Sequence, residues 1–161
     1  MIVVSDTSPI TNLLKIGRLS LLKDVFHKVI IPGKVREELF EWEKLGADIS
    51  AYENADWIET HRPTDLLLVK GLLKDLDEGE AEAIALAHEL KADYLLIDER
   101  RGLKLAKSMG IHAIGLIGVL LNAKSLGILT KVMPVMDELR SVAGFWISQD
   151  FYDQIRLIAK E

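Results

Sequence analysis

Two aspartates in the sequence each follow a short apolar run. Asp6 comes after Ile2-Val3-Val4-Ser5, and Asp98 comes after Tyr94-Leu95-Leu96-Ile97. Each run predicts a short buried strand, and a helical segment follows each aspartate. Because open parallel sheets place their functional residues at the carboxyl ends of strands, both carboxylates are expected at the same edge of one sheet.

A helix predicted over residues 33–46 carries a glutamate at the margin of its apolar stripe. Val35, Leu39 and Trp42 recur at i, i+4 and i+7, so they form the face that packs on the core. At about 100° per residue, Glu38 lies beside that stripe, whereas Glu37 points into water. Glu38 is therefore the acid of this helix that can reach the rim of the core.

The helix predicted to begin at Asp77 and to run to Leu90 carries a second such glutamate. Alanine is the best helix former, and three acids in the first turn complement the helix dipole. Glu80 shares a face with Ala83 and Ile84, which lie at i+3 and i+4. Because small alanines permit close packing on a sheet, Glu80 is also expected on the core side of its helix.

Asp6, Glu38, Glu80 and Asp98 together predict a metal site and its catalytic acids. Four carboxylates gathered without a cation repel one another and raise one another's pKa. Mg²⁺ or Mn²⁺ would relieve that repulsion, because both prefer oxygen ligands and keep several waters. A cation held there can activate a water for in-line attack on a phosphodiester and stabilise the leaving oxygen.

The strand-end aspartate Asp6 also has a structural interpretation. Asp6 can help to cap the turn with Ser8, which is a good N-cap residue. Pro9 is then well placed at the first helical position. A carboxylate that ends a buried strand still needs a partner, and this favours a functional role for Asp6.

The other three acids have structural interpretations as well. Asp98 can cap the helix predicted over 99–109, and Glu38 can form a solvated salt bridge. Glu80 stands three residues after Asp77, which is the spacing of a capping box. Other acids are interpreted as solvent-facing or helix-start charges: Asp77, Glu82, Glu89 and Glu99. Arg100 and Arg101 suit a solvated face or contact with substrate phosphates.

The composition is that of one soluble globular domain over residues 1–161, with 49% hydrophobic and 28% charged residues. No apolar run is long enough to span a bilayer, and no signal peptide is evident, so a cytoplasmic location is expected. The absence of cysteine excludes disulfides and thiolate sites. A net charge of −5 argues against binding nucleic acid by bulk electrostatics, but not against an enzyme that acts on it.

Apolar strands and amphipathic helices alternate along the chain. Strands are predicted at 27–31, 93–97 and 111–115 besides the first one, and Ser148 is predicted to cap a final helix over 149–160. This order predicts an α/β fold with three layers, in which helices cover both faces of a central parallel sheet.

Four segments resemble the PIN-domain family, and within it the prokaryotic stand-alone proteins that include VapC-like toxins. The segments are Val4-Ser5-Asp6-Thr7-Ser8-Pro9, Ile31-Pro32-Gly33-Lys34-Val35-Arg36-Glu37-Glu38-Leu39, Gly79-Glu80-Ala81-Glu82-Ala83-Ile84 and Leu96-Ile97-Asp98-Glu99. In this order and spacing they extend over about two thirds of the chain. The family's acids fall on the four residues that strand ends and helical phase select.

The resemblance implies a parallel sheet flanked by helices and an acidic pocket that binds Mg²⁺ or Mn²⁺. It implies endoribonuclease activity on single-stranded or structured RNA, in a homodimer that could be the toxin of a toxin–antitoxin pair. The hydroxyl that follows the first acid corresponds to Thr7 or Ser8, which would support the metal ligands or position water.

Two other functions fit parts of the sequence. A phosphotransfer domain with an acidic pocket is one, but such domains carry a second acid two residues after the first, where this chain has Ser8. A non-catalytic module that keeps the fold and uses its surface for partner contact is the other. The presence of all four acids counts against it.

Overall fold

Five parallel strands form one sheet in the computed structural model, which describes residues 1–161. The strands are β1 (Val3–Ser5), β2 (Val29–Pro32), β3 (Ile58–His61), β4 (Tyr94–Leu96) and β5 (Ala113–Ile114). Their order across the sheet is β3-β2-β1-β4-β5. The sheet therefore grows outward in both directions from β1, and this switch between β1 and β4 leaves a crevice at the carboxyl ends of the two strands.

Ten helices connect and cover the strands. They are α1 (Thr7–Lys15), α2 (Ser20–Phe26), α3 (Gly33–Lys44), α4 (Ser50–Glu53), α5 (Leu66–Leu72), α6 (Glu78–Leu90), α7 (Arg100–Ser108), α8 (Leu116–Ser125), α9 (Met133–Ser141) and α10 (Gln149–Ala159). None of them is both long and apolar enough to cross a bilayer.

The core has two parts, one on each face of the sheet. Successive strand residues alternate between them: Val3 and Leu96 belong to the larger part, whereas Val4 and Leu95 belong to the smaller one. Helices α1 to α4 and α8 to α10 contribute to the larger part, and α5 to α7 contribute to the smaller one. The predicted α/β fold with a central parallel sheet and two helical layers is confirmed.

The helical phase predicted for α3 is also what the structure shows. Val35 and Leu39 are fully buried, Glu37 is exposed, and Glu38 is half-buried. At the other end of the chain, the hydroxyl of Ser148 accepts a hydrogen bond from the backbone N–H of Phe151 at 3.1 Å and caps α10, as predicted.

The start of α1 differs from the prediction that Ser8 is its N-cap. The last extended residue is Asp6, with φ −74° and ψ 176°, and the helix begins at Thr7. Ser8 therefore lies within the first turn, where its hydroxyl is directed to another partner. Pro9 is the third helical residue, a position whose backbone N–H would lack an intrahelical partner in any case.

Candidate active site

A pocket of about 390 Å³ opens where the carboxyl ends of β1 and β4 meet. Nine residues line it and none of them is hydrophobic: Asp6, Thr7, Ser8, Thr11, Glu38, Asp77, Glu80, Asp98 and Glu99. All four acids selected from the sequence are among them. The structure thus brings together two residues that follow strands and two that lie in the first half of their helices.

Asp6 is the most enclosed acid of the pocket. It follows β1 directly, and its backbone N–H donates to the carbonyl of Leu96 at 2.9 Å, which fixes it beside the end of β4. Only 5% of Asp6 is exposed. Burial raises the pKa of this carboxyl group to about 7, and the neighbouring carboxylates of Asp77, Glu38 and Asp98 act in the same direction.

Asp98 has both of its carboxylate oxygens engaged. Oδ1 accepts from the backbone N–H of Leu116 at the start of α8, at 2.7 Å, and Oδ2 accepts from the hydroxyl of Ser8 at 3.2 Å. Burial raises the pKa of Asp98, although these two hydrogen bonds oppose the rise. Asp98 does not cap the helix that follows it. Glu99 does so, by accepting from two backbone N–H groups in the first turn of α7.

The first turn of α1 holds two of the acids in place. The hydroxyl of Thr7 donates to Oε2 of Glu38, and that of Ser8 donates to Asp98. The side-chain amide of Asn12 in turn donates to the Ser8 hydroxyl at 3.3 Å, from a buried position. Burial raises the pKa of Glu38, and the hydrogen bond from Thr7 lowers it in part.

Glu80 lies in the capped first turn of its helix and also at the pocket. Its backbone N–H donates to Oδ1 of Asp77 at 2.8 Å, so Asp77 caps α6 with the predicted spacing. The side chain of Glu80 nevertheless lines the pocket. Burial and contact with the carboxyl group of Asp77 raise the pKa of Glu80 to about 8. The helix cap and the pocket acid are therefore neighbours in one turn.

Sequence reasoning missed several polar residues of the site. Asp77 and Glu99 were interpreted as helix-start charges, which they are, but both also line the pocket. Thr11 lines it too, and Asn12 supports Ser8 from one turn further along α1. The i to i+4 spacing of Ser8 and Asn12 places the two side chains on one helix face and could have predicted their contact.

The two arginines that follow the second strand-end aspartate lie outside the pocket lining. Arg100 and Arg101 are both exposed, and the guanidinium of Arg101 donates to the carbonyl of Asp75 at 3.3 Å. Contact of either arginine with substrate phosphates stays a prediction.

The donor set of the pocket suits a hard divalent cation. It offers carboxylate and hydroxyl oxygens and no sulfur or imidazole. As the side chains stand, no three acids are arranged to ligate one ion together. Mg²⁺ commonly binds through only one or two carboxylates and keeps several waters, so this spacing fits such an ion. The lining contains no lysine, arginine or histidine, so no cationic side chain of the lining compensates the acids.

Comparison with known proteins identifies the fold family. A family model described as a PIN domain matches residues 2–161. The chain belongs to the PIN-domain family. PIN domains are generally nucleases and generally use divalent metal ions, so the family agrees with the acidic pocket at the level of reaction class.

A solved structure supports the PIN fold independently. The chain is similar to a PilT N-terminus domain protein from the hyperthermophilic archaeon Sulfolobus solfataricus P2, with 23% sequence identity and a TM-score of 0.53. The match covers 74% of this chain and 90% of the archaeal one, and at this identity it shows the fold alone. No protein with a curated description matches the chain.

Proposed function

We propose that this PIN domain is a Mg²⁺- or Mn²⁺-dependent endoribonuclease. The observation that carries the proposal is the convergence of Asp6, Glu38, Glu80 and Asp98 on one wholly polar pocket at the switch point of the sheet. Membership of a family that generally consists of nucleases supports the reaction class. RNA as the substrate rests on the resemblance of the four acidic segments to VapC-like proteins.

In this proposal the four acids form the binding site of a hydrated ion, which one or two of them would ligate directly and the others through its waters, and the neighbouring groups keep the acids in place. When bound, a divalent cation lowers the pKa of a coordinated water and polarises the phosphodiester. Thr7 orients the carboxylate of Glu38, and Ser8 with the backbone N–H of Leu116 orients that of Asp98. Asp6 has little freedom because it is almost fully enclosed.

Binding of an ion would require Asp6 and Glu80 to give up protons. The raised pKa values of Asp6 and Glu80 mean that both carboxyl groups hold protons to a large extent at neutral pH without metal. Carboxylate ligands must be ionised, so metal affinity is expected to rise with pH. Positive charge from the ion would then allow a phosphate to approach a pocket that is otherwise negative.

The cellular role belongs to the same proposal and rests on the resemblance. A toxin that is held inactive by a cognate antitoxin, a homodimer and a cytoplasmic location are all implied by the VapC-like segments. A phosphotransfer role has less support, because Ser8 stands where such domains carry a second acid and its hydroxyl donates to Asp98.

The test is cleavage of a mixed-sequence single-stranded RNA, and of the same sequence as DNA, with Mn²⁺ or Mg²⁺ and with EDTA. We expect metal-dependent cleavage of the RNA by the wild type, and a loss of roughly 100-fold or more in Asp6→Asn and in Asp98→Asn. Asp24→Asn, which changes an exposed acid of α2, serves as the matched control and should cleave normally.

Three outcomes would contradict parts of the proposal. Cleavage that survives both Asp6→Asn and Asp98→Asn would overturn the site. Cleavage of the DNA alone would overturn the ribonuclease assignment. If neither substrate is cut and divalent ions stabilise wild type and Asp6→Asn equally, the non-catalytic binding module becomes the better interpretation.

A further inference from the structure

The backbone of α6 lies directly behind the carboxylate of Glu38. A Cβ atom built on Gly79 would be 2.6 Å from Oε1 and 2.9 Å from Oε2 of Glu38. These separations are well inside van der Waals contact, so any residue larger than glycine at position 79 would occupy the space that the carboxylate now fills. Gly79 is itself buried, in the first turn of the helix that carries Glu80.

The backbone does not explain why position 79 is glycine. Gly79 is a regular helical residue without a positive φ, a conformation that alanine adopts at least as readily. Glycine within a helix is also less favourable than alanine, because it loses more conformational freedom on folding. The chain therefore keeps a residue that weakens the helix locally, at the place where a carboxylate from α3 packs against it.

We propose that Gly79 is the positioning residue for Glu38. The absence of a side chain lets the carboxylate lie against the first turn of α6, while the hydroxyl of Thr7 donates to it from α1. Glu38 cannot shift with its helix, because Val35 and Leu39 fix α3 in the core. This inference rests on the proposed function, in which Glu38 helps to hold the divalent ion.

Another glycine of the chain provides a matched control. Gly71 lies in the neighbouring helix α5, has no positive φ, and a Cβ built on it would meet no atom within 4 Å. Gly71→Ala and Gly79→Ala each replace a helical glycine by alanine, but only Gly79→Ala encounters a carboxylate. The part of their difference that disappears in the Glu38→Ala background reports the contact with Glu38.

The experiment is a double-mutant cycle of wild type, Gly79→Ala, Glu38→Ala and the double variant, with Gly71→Ala beside it. Mn²⁺ affinity is measured by titration calorimetry on metal-free protein. We expect Gly79→Ala to weaken Mn²⁺ binding about 10- to 100-fold, which is the usual effect of changing a residue that orients a metal ligand. In the Glu38→Ala background the same change should have almost no further effect, since residues that act through one contact are not additive. Gly71→Ala should bind as the wild type.

The melting temperatures of the same five proteins are then measured without metal, so that the effect of the contact on stability is separated from ion binding. We expect the melting temperature of Gly79→Ala to lie below that of Gly71→Ala, and the deficit to disappear when Glu38 is alanine. If Gly79→Ala does not fold but the double variant does, this result also shows that the alanine at position 79 conflicts with Glu38.

Two results would overturn the inference. Either Gly79→Ala binds Mn²⁺ and melts like Gly71→Ala, or it loses the same affinity whether or not Glu38 is present. Failure of the proposed function gives a different pattern: the wild type itself binds no Mn²⁺, while the metal-free melting cycle still reports whether Gly79 and Glu38 are coupled.

Discussion

Asp6 shows at the scale of one residue how closely this pocket encloses its acids. Its carboxyl group is enclosed at the end of a central strand and faces other carboxyl groups rather than a lysine or an arginine. A charged carboxylate in such a place is unfavourable by an amount on the order of a few kcal/mol at neutral pH. A buried residue that served only the fold would be expected to avoid this penalty.

Replacement of Asp6 by asparagine should therefore stabilise the metal-free protein. The folded-state pKa of about 7 lies above the ordinary value of 3.8, so ionisation of Asp6 opposes folding once the pH exceeds about 4. An asparagine side chain at this position cannot ionise. We expect Asp6→Asn to melt higher than the wild type in EDTA at pH 8, and the difference to shrink towards pH 4.

Added Mn²⁺ should reverse that order, because the wild type gains stability from the ion and Asp6→Asn gains little. The measurement is differential scanning fluorimetry with EDTA or with Mn²⁺, and Asp24→Asn is the control. If Asp6→Asn melted below the wild type in EDTA at pH 8, Asp6 would be a structural hydrogen-bonding group.

Local sequence pattern was enough to place four acids at the pocket, whereas their catalytic and metal-binding roles stay predictions. Asp6 and Asp98 end apolar runs, and Glu38 is placed by the phase of Val35 and Leu39. The sequence did not reveal that Asp77 lines the pocket. A helix cap lines a pocket only when the strand order places the start of that helix beside the strands that form the pocket. Strand order is a long-range property that local spacing does not contain.

At the scale of whole elements, helix α6 contacts the starts of two other helices. Glu82, interpreted from the sequence as solvent-facing, accepts from the backbone N–H of Lys34 at 3.1 Å, in the first turn of α3. Glu89 accepts from the backbone N–H groups of Thr64 and Asp65, just before α5. Local sequence pattern could not show that the starts of other helices lie beside these two glutamates.

Glu82→Ala and Glu89→Ala form a matched pair that separates helix capping from site geometry. Each variant removes a carboxylate of α6 from another helix start, which should cost about 1 kcal/mol of unfolding free energy. Only Glu82 supports α3, the helix that carries Glu38.

Urea unfolding should therefore show a loss for both variants, whereas Mn²⁺ titration should show weaker binding for Glu82→Ala alone. Equal Mn²⁺ affinities in the two variants would mean that the cap of α3 does not govern the position of Glu38.

At the scale of the whole molecule, two kinds of carboxyl group respond to pH in opposite ways. Asp6 and Glu80 have raised pKa values because they are enclosed near other acids. Glu161, by contrast, pairs with Lys124 at 2.8 Å and accepts from the backbone N–H groups of Val132 and Met133. Although partial burial opposes it, these contacts lower the pKa of Glu161 to about 2 and tie α10 to α8 and α9.

These shifts predict the pH profile of stability. Between about pH 4 and pH 8 the folded metal-free protein binds more protons at Asp6 and Glu80 than the unfolded chain does, so its stability should fall as the pH rises. Below about pH 4.5 the stabilising charge of Glu161 is progressively lost as the pH falls towards 2. We therefore expect the highest melting temperature in EDTA near pH 4 to 5.

Excess Mn²⁺ should change the shape of that profile rather than only its height. The ion binds ionised carboxylates, so the rise in melting temperature that it causes should be small near pH 5 and grow towards pH 8. Scanning calorimetry across this range, with EDTA and with Mn²⁺, measures both effects in the same protein. A melting temperature in EDTA that stays level or rises from pH 5 to pH 8 would show that the pocket acids are already compensated without metal, and that a cation is not what the pocket lacks.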